Sequence, residues 1–298
     1  MSINTAFYQI SENVTAFDLA KIIGAKFIED QATSAEKAII KDIVSFHAAA
    51  PSALIFQNDP KLLSGLTAEE TIIITNEAGA AEVGPKNICL MVPSPRVGFA
   101  HAVDFLVSKP CFGPSLSGVS PYAKISADTV IHPSATIMAR ATIGAGTVVE
   151  AGATVHPAVT VGENCYVGSN AVLSHSVIGN HVKIGAGCII GEGGFGFEMT
   201  EDGVVKVPHI GLVLIEDFVS IGSACAIDRG SLDDTRIGPH VMMDNLCHVA
   251  HNVSIGAKSI IAGQCGISGS ATIGERVVMG GQVGIAPHVK IGNGAVLT

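Results

Sequence analysis

The sequence predicts a mainly β protein: a parallel β-helix built from six-residue repeats, preceded by a small α/β domain. Three observations lead there. An aliphatic residue recurs at every sixth position over long stretches after residue 124; glycine is abundant at 34 residues while Trp is absent; and 14% of the 298 residues are charged, against about 25% in an ordinary domain. Such a chain must bury a large core, yet it has few aromatic rings to fill a thick one. A thin core of small and branched side chains satisfies both conditions.

The repeat carries most of the weight. One series runs Ile125, Ile131, Ile137, Ile143, Val149, Val155, Val161, Val167, Leu173, and a second runs Ile237, Met243, Val249, Ile255, Ile261, Ile267, Ile273, Met279, Ile285, Ile291, Leu297. Neither helical nor strand periodicity produces this spacing. A hexad fits one flat face of a triangular solenoid, with the aliphatic residue pointing inward and the corner relaxed by Gly or Asn. Three faces then close a coil of about 18 residues, and coils stack at about the 4.8 Å strand spacing.

The phase breaks once in an informative way. After Leu173 a five-residue step leads to Ile178, Ile184 and Ile190, and regularity then fails from Gly191 to about Leu214. Gly193-Gly194-Phe195-Gly196-Phe197 and the polar turn Thr200-Glu201-Asp202-Gly203 are read as an extruded loop, and two phenylalanines exposed together point to binding.

Residues 1–104 lack the hexad and form the separate α/β domain. Ala16 to Ile23 reads as an amphipathic helix, Ala38 to Val44, Ala53 to Phe56 and Thr71 to Thr75 as strands, and Phe99 to Val107 as a closing helix. Residues 105–122, rich in Pro, Gly and Ser, are read as a linker, and 123–298 as the solenoid with its loop at 191–214.

Charge and cysteine content narrow the function. A net charge of -9 with 17 Lys and Arg leaves no basic patch for nucleic acid. No apolar run reaches the length of a membrane span and no leader precedes the domain, so a cytoplasmic protein is expected. The seven cysteines form no C-x-x-C pair and are read as small buried side chains, without disulfides or a structural zinc site.

A solenoid of this kind has no internal pocket, so chemistry must sit on its faces, and flat faces packing around a three-fold axis predict a homotrimer with clefts between subunits. His251 is the outstanding side chain there. Gly269 lies 18 residues on, at the same face position one coil higher, pairing an imidazole base with an approachable N–H for an oxyanion. Asp244, seven residues earlier, is placed to orient the ring, and His288, 37 residues later, to contact substrate about 10 Å along the axis. Spacing alone leaves a catalytic and a structural His251 both open.

The segments Ile227-Asp228-Arg229-Gly230, Asp233-Asp234-Thr235, Asp244-Asn245, His248-Val249-Ala250-His251-Asn252-Val253 and Gly194-Phe195-Gly196-Phe197 resemble the LpxD family, the UDP-3-O-acylglucosamine N-acyltransferases of lipid A biosynthesis. The resemblance covers nearly the whole chain. It implies a left-handed β-helix and transfer of a 3-hydroxyacyl chain from acyl carrier protein to the glucosamine 2-amine in the cytoplasm of a Gram-negative bacterium. His251 would be the base, Asp244 its orienter, Gly269 the oxyanion donor, and His288, Asn252 and Phe195 substrate contacts, with neither metal nor cofactor. The family's uracil clamp, an aromatic residue with Asn three later and Tyr six later, falls on Phe56, Asp59 and Leu62, with Asn58 beside the shifted position. Pro287 stands where the family tends to carry Gly, which removes a backbone donor. The chain ends at Thr298 inside a coil, so a further C-terminal segment that docks the carrier protein is expected in the family's full-length members. The alternatives are an O-acyltransferase or acetyltransferase on the same solenoid, a metal-dependent carbonic anhydrase needing more His ligands than His248 and His251, and a non-catalytic solenoid.

Overall fold

A computed structural model of the chain describes residues 3–28, 31–110 and 118–298. They group into two compact units, Met1–Pro110 with Gly196–Pro208, and Cys111–Phe195 with His209–Thr298.

The first unit is a four-stranded parallel sheet in chain order, Asp42–Ile43 (β1), Ala53–Phe56 (β2), Ile72–Thr75 (β3) and Ile88–Met91 (β4). Its centre, Leu54, Ile55, Ile72, Ile73, Ile74 and Leu90, is fully buried, as expected for parallel strands covered on both faces. The helix Ala16–Ile23 (α1) has the predicted bounds: Thr15 and Asp18 cap each other's backbone, and Gly24 closes it at φ 66°. The expected strand at 38–44 shortens to β1, because Ile39 pairs instead with Thr15 across an antiparallel bridge. The closing helix runs Pro95–Leu106 (α2), starting earlier than read because Pro95 suits a first helical turn. Residues 105–108 correct the linker reading: α2 contains 105 and 106, and Val107–Ser108 pairs with Gln9–Ile10. Residues 111–117 of the linker, with Cys111, lie outside the described residues.

The second unit is the parallel solenoid. Two-residue strands stack into three sheets: a first face from Lys124–Ile125 to Lys290–Ile291, a second from Val130–Ile131 to Val296–Leu297, and a third from Thr136–Ile137 to Gly284–Ile285. Thr142 faces Thr160 and Ile143 faces Val161, the 18-residue step of one coil. The in-phase aliphatics from Ile137 to Ile285 are buried, forming the narrow core that composition required. Residues at the corners adopt left-handed angles, among them Asn164, His181, Leu246, Asn252, Ser270 and His288.

One corner holds a column of thiols. Cys188, Cys225, Cys247 and Cys265 precede in-register strands of the third face, and their Sγ atoms donate to the carbonyls of Gly222 (2.9 Å), Asp244 (3.2 Å), Ala262 (3.3 Å) and Gly280 (3.0 Å). The six described cysteines are free and buried. They are small core residues that also satisfy corner carbonyls.

The break in phase takes a definite form. The third-face strand Ile189–Gly193 bulges at Gly191 (φ 86°), and the chain then makes an antiparallel hairpin, Phe197–Thr200 with Gly203–Lys206, before rejoining the first face at Val213–Ile215. The hairpin groups with the first unit, where Glu198 reaches within 3.5 Å of Arg96 on α2, and it lies inside the stretch 191–214 read as an extruded loop.

Candidate active site

His251 follows the third-face strand His248–Val249, at the corner that leads back to the first face. Its neighbour Asn252 sits at φ 60°, a conformation Asn tolerates better than most residues. That kink turns the Asn252 amide inward. Its Oδ1 accepts from Ser231 N (3.0 Å) and Ser231 Oγ (3.0 Å), and its Nδ2 donates to the Asp233 carbonyl (2.7 Å). A main-chain N–H needs an oxygen opposite it, so the amide orientation is fixed by its surroundings. The same Oδ1 lies 3.0 Å from Nδ1 of His251. Nδ1 must therefore carry the hydrogen, which leaves the lone pair on Nε2.

The ring is held between glycines. A Cβ on Gly269 would come 2.8 Å from both Nε2 and Cε1 of His251; one on Gly194 would come 2.9 Å from its Cβ and 3.0 Å from Cδ2. Any side chain at either position would displace the imidazole. His209, 4% exposed, packs edge-on against the His251 ring with centroids 4.9 Å apart. Behind it, Arg229 Nε donates to the His209 carbonyl (2.8 Å), and its Nη1 lies 2.7 Å from Nδ1 of His175. The His251 ring is thus packed between Gly194, Gly269 and His209, with Nε2 and Cε1 on the side of Gly269.

A carboxylate stands close by. Asp228 ends 3.7 Å from Nε2 of His248 and is largely buried. Burial pushes its pKa above the ordinary carboxylate value; His248 and His251 pull it back down, and Glu192 pushes it up again.

The other residues picked from sequence fall in several places. Gly269 and His288 share the corner of His251: His288 is exposed at φ 60° and its N–H donates to the Gly269 carbonyl (3.1 Å). Asp244 does not reach His251 within the chain. Seven residues span more than one hexad, so Asp244 occupies the corner between second and third faces, where its Oδ1 accepts from Asn245 Nδ2 (2.7 Å). Asn252, read as a substrate contact, instead spends its amide on Ser231, Asp233 and His251. Phe195 is 86% exposed. In the first unit Phe56 stacks on Phe99 with centroids 4.6 Å apart, Asp59 caps the short helix Pro60–Leu63, and Asn58 is exposed beside them.

Sequence reasoning missed His209, because the hexad phase is lost from 191 to 214 and no spacing argument applies there. Asp228 and Arg229 carried the family likeness but had no role assigned; the in-register pairing of Ala226 with His248 and Ile227 with Val249 places their strand directly beneath that of His251. Among the described residues, no three His, Cys, Asp or Glu converge as a metal site, and no helix is long and apolar enough to cross a membrane.

A base with a fixed tautomer, its lone pair alongside a glycine backbone, suits removal of a proton from an attacking nucleophile. Comparisons with known proteins bear on the family of the chain. Residues 122–157 and 141–175 match the family described as bacterial transferase hexapeptide (six repeats). A solved UDP-N-acetylglucosamine acyltransferase from Arabidopsis is 24% identical over 59% of this chain and 66% of that one, with a TM-score of 0.47. A UDP-3-O-acylglucosamine N-acyltransferase of Maricaulis maris is 51% identical over 77 residues, 26% of this chain and 22% of that relative's length. Two longer matches bear the same name. The protein of Coxiella burnetii is 38% identical over 75% of this chain and 67% of its own length, and that of Azorhizobium caulinodans is 38% identical over 87% of this chain and 75% of its own. With a relative matched across three-quarters of its length and a hexapeptide solenoid that carries His251 at a corner, the chain belongs to the UDP-3-O-acylglucosamine N-acyltransferase family.

Proposed function

We propose that this chain transfers a 3-hydroxyacyl group from the thioester of acyl carrier protein to the 2-amine of UDP-3-O-acylglucosamine, a step of lipid A assembly, with His251 as the base. The observation that carries the reading is the Asn252 to His251 contact at 3.0 Å, which leaves Nε2 unprotonated beside Gly269. Nε2 takes a proton from the amine as nitrogen attacks the thioester carbon. The new oxyanion is met by the Gly269 N–H, and collapse breaks the C–S bond while His251 returns the proton to the departing sulfur. The thioester is already activated, so the proposed chemistry calls on no cofactor or metal.

His288 and Phe195 are proposed to contact the acyl-sugar, and Phe56, Asn58 and Asp59 the uridine. Phe56 has one ring face on Phe99, so a stacking base would use the other. Pro287 offers no N–H at its corner. We further propose a cytoplasmic homotrimer, consistent with flat outer faces and with the lack of a membrane-crossing helix among the described residues.

Single-turnover transfer onto UDP-3-O-acylglucosamine tests the reading. The wild-type chain forms the amide, and His251→Ala lowers the rate by about 10² to 10⁴-fold. A near wild-type rate in that variant removes His251 as the base, and transfer to a hydroxyl acceptor in preference to the amine replaces the N-acyl assignment with an O-acyl one.

A further inference from the structure

An amine acceptor differs from a hydroxyl in one respect that this site must handle. Amines of the α-amino type bind a proton with a pKa of about 8, so at neutral pH the acceptor arrives mainly as an ammonium ion. It must bind as a cation and shed one proton before its lone pair exists, and it sheds a second during attack. His251 accounts for the second alone.

Asp228 has the properties needed for the first. It stands on the strand beneath His251, in register with the His248 strand, and its side chain is 15% exposed. The cation that chain order puts beside it, Arg229, is turned away: its Nε donates to the His209 carbonyl and its Nη1 meets His175 Nδ1 and the Gly191 carbonyl. The charges that act on Asp228 are those of His248, 3.7 Å away, of His251 and of Glu192, and among them only the histidines can carry positive charge, and only on protonation. Glu192, in register one coil below, takes a hydrogen bond from Ser174 Oγ at 3.2 Å. The carboxylate is thus largely desolvated beside the base without a permanent counterion. The face is open above the ring that reaches it: over His248, 3.7 Å from Asp228, the third face continues as Gly266 and Gly284, where a Cβ would meet nothing within 4 Å.

We propose that Asp228 is the subsite for the protonated amine of the acceptor, an inference that rests on the N-acyltransferase reading. The ammonium pairs with the Asp228 carboxylate. One N–H bond then breaks, and its proton passes to Nε2 of His248, 3.7 Å from the carboxylate, and from that half-exposed ring to water. The freed lone pair attacks the thioester carbon, the second proton goes to His251, and the sulfur leaves with it. A hydroxyl acceptor has no use for the carboxylate, so Asp228 selects amine over hydroxyl.

The test compares dissociation constants of UDP-3-O-acylglucosamine and its 2-hydroxyl counterpart, by calorimetry without acyl donor, at pH 7.0 and 9.0. The wild-type chain should hold the amine about tenfold tighter at pH 7.0, as befits a partly desolvated ion pair, and lose most of that preference at pH 9.0, where the amine is neutral and Asp228 still ionised. Asp228→Asn should bind both ligands equally at either pH. A preference that survives in Asp228→Asn, or that is unchanged at pH 9.0, overturns the proposal. Asp228→Ser is read by the same criteria should the Asn variant not fold. Wild-type acyl transfer, measured in parallel, reports on the N-acyltransferase reading separately: binding preference without amide product sinks that reading and not the subsite.

Discussion

Oδ1 of Asn252 is shared: it takes the N–H and hydroxyl of Ser231 and stands 3.0 Å from Nδ1 of His251. One amide oxygen thereby ties the loop after Arg229 to the tautomer of His251. Replacing Asn252 by Ala removes the acceptor and places Ala at a left-handed angle. The expected result is a fall in single-turnover rate of about 10 to 100-fold, in line with loss of a partner that orients a functional histidine, together with a lower melting temperature. A rate within twofold of wild type would show that Nδ1 is oriented by something else.

Gly269→Ala should separate activity from folding. The added methyl sits 2.8 Å from the tip of the His251 ring, so the imidazole must leave its place between Gly194 and His209. Transfer should fall about 100-fold, as for loss of a well-placed general base, while the melting temperature changes little. Equal loss of both would mean that the corner backbone, rather than the ring, gives way.

Stability at position 228 should move opposite to activity. Burial raises the Asp228 pKa above its ordinary value, so the folded chain binds that proton more tightly than the unfolded one, and stability falls as pH rises from the unfolded value toward the raised one. Asp228→Asn removes this cost. It should melt higher than wild type at pH 7 and equal to it near pH 3, readable from melting curves at the two pH values. The opposite order at pH 7 would mean that the His248 and His251 charges outweigh burial.

The thiol column predicts a difference between two small substitutions. Cys247 Sγ donates to the Ala262 carbonyl at 3.3 Å, so Cys247→Ser keeps a donor and Cys247→Ala leaves that carbonyl unmet. The Ala variant should be the less stable by about 1 kcal/mol, the usual net value of one such bond. Chemical denaturation of both variants measures the difference, and equal midpoints would assign the column to packing alone.

The solenoid was legible because its physics is repetitive. Each inward aliphatic from Ile137 to Ile285 answers the same requirement, and a six-residue period states it many times. His251 and Gly269 were legible together for the same reason, since an 18-residue step is one coil. Asp244 was misplaced because a seven-residue step crosses a corner, and proximity in sequence then means a different face. His209 was illegible. Its place against His251 depends on how the chain returns after the hairpin, a path that no periodicity records. In the first unit, Ile88–Met91 was overlooked although its apolar run is that of a buried parallel strand, and the short helix at Pro60–Leu63 turned Asp59 into a cap.

Gly194 precedes the hairpin and His209 follows it, and both touch the His251 ring. The insertion is therefore rooted on His251 itself. In the course of divergence or design, the hairpin between Phe197 and Lys206 is open to trimming, lengthening or exchange at the cost of the Glu198 contact with Arg96, because its strands form a sheet of their own. Its two roots are not open in the same way. Sequences that vary freely in the arms while holding a glycine at one foot and a flat ring at the other would carry the mark of this constraint, and a graft cut one residue too close to either foot would unseat the His251 ring while leaving every coil intact.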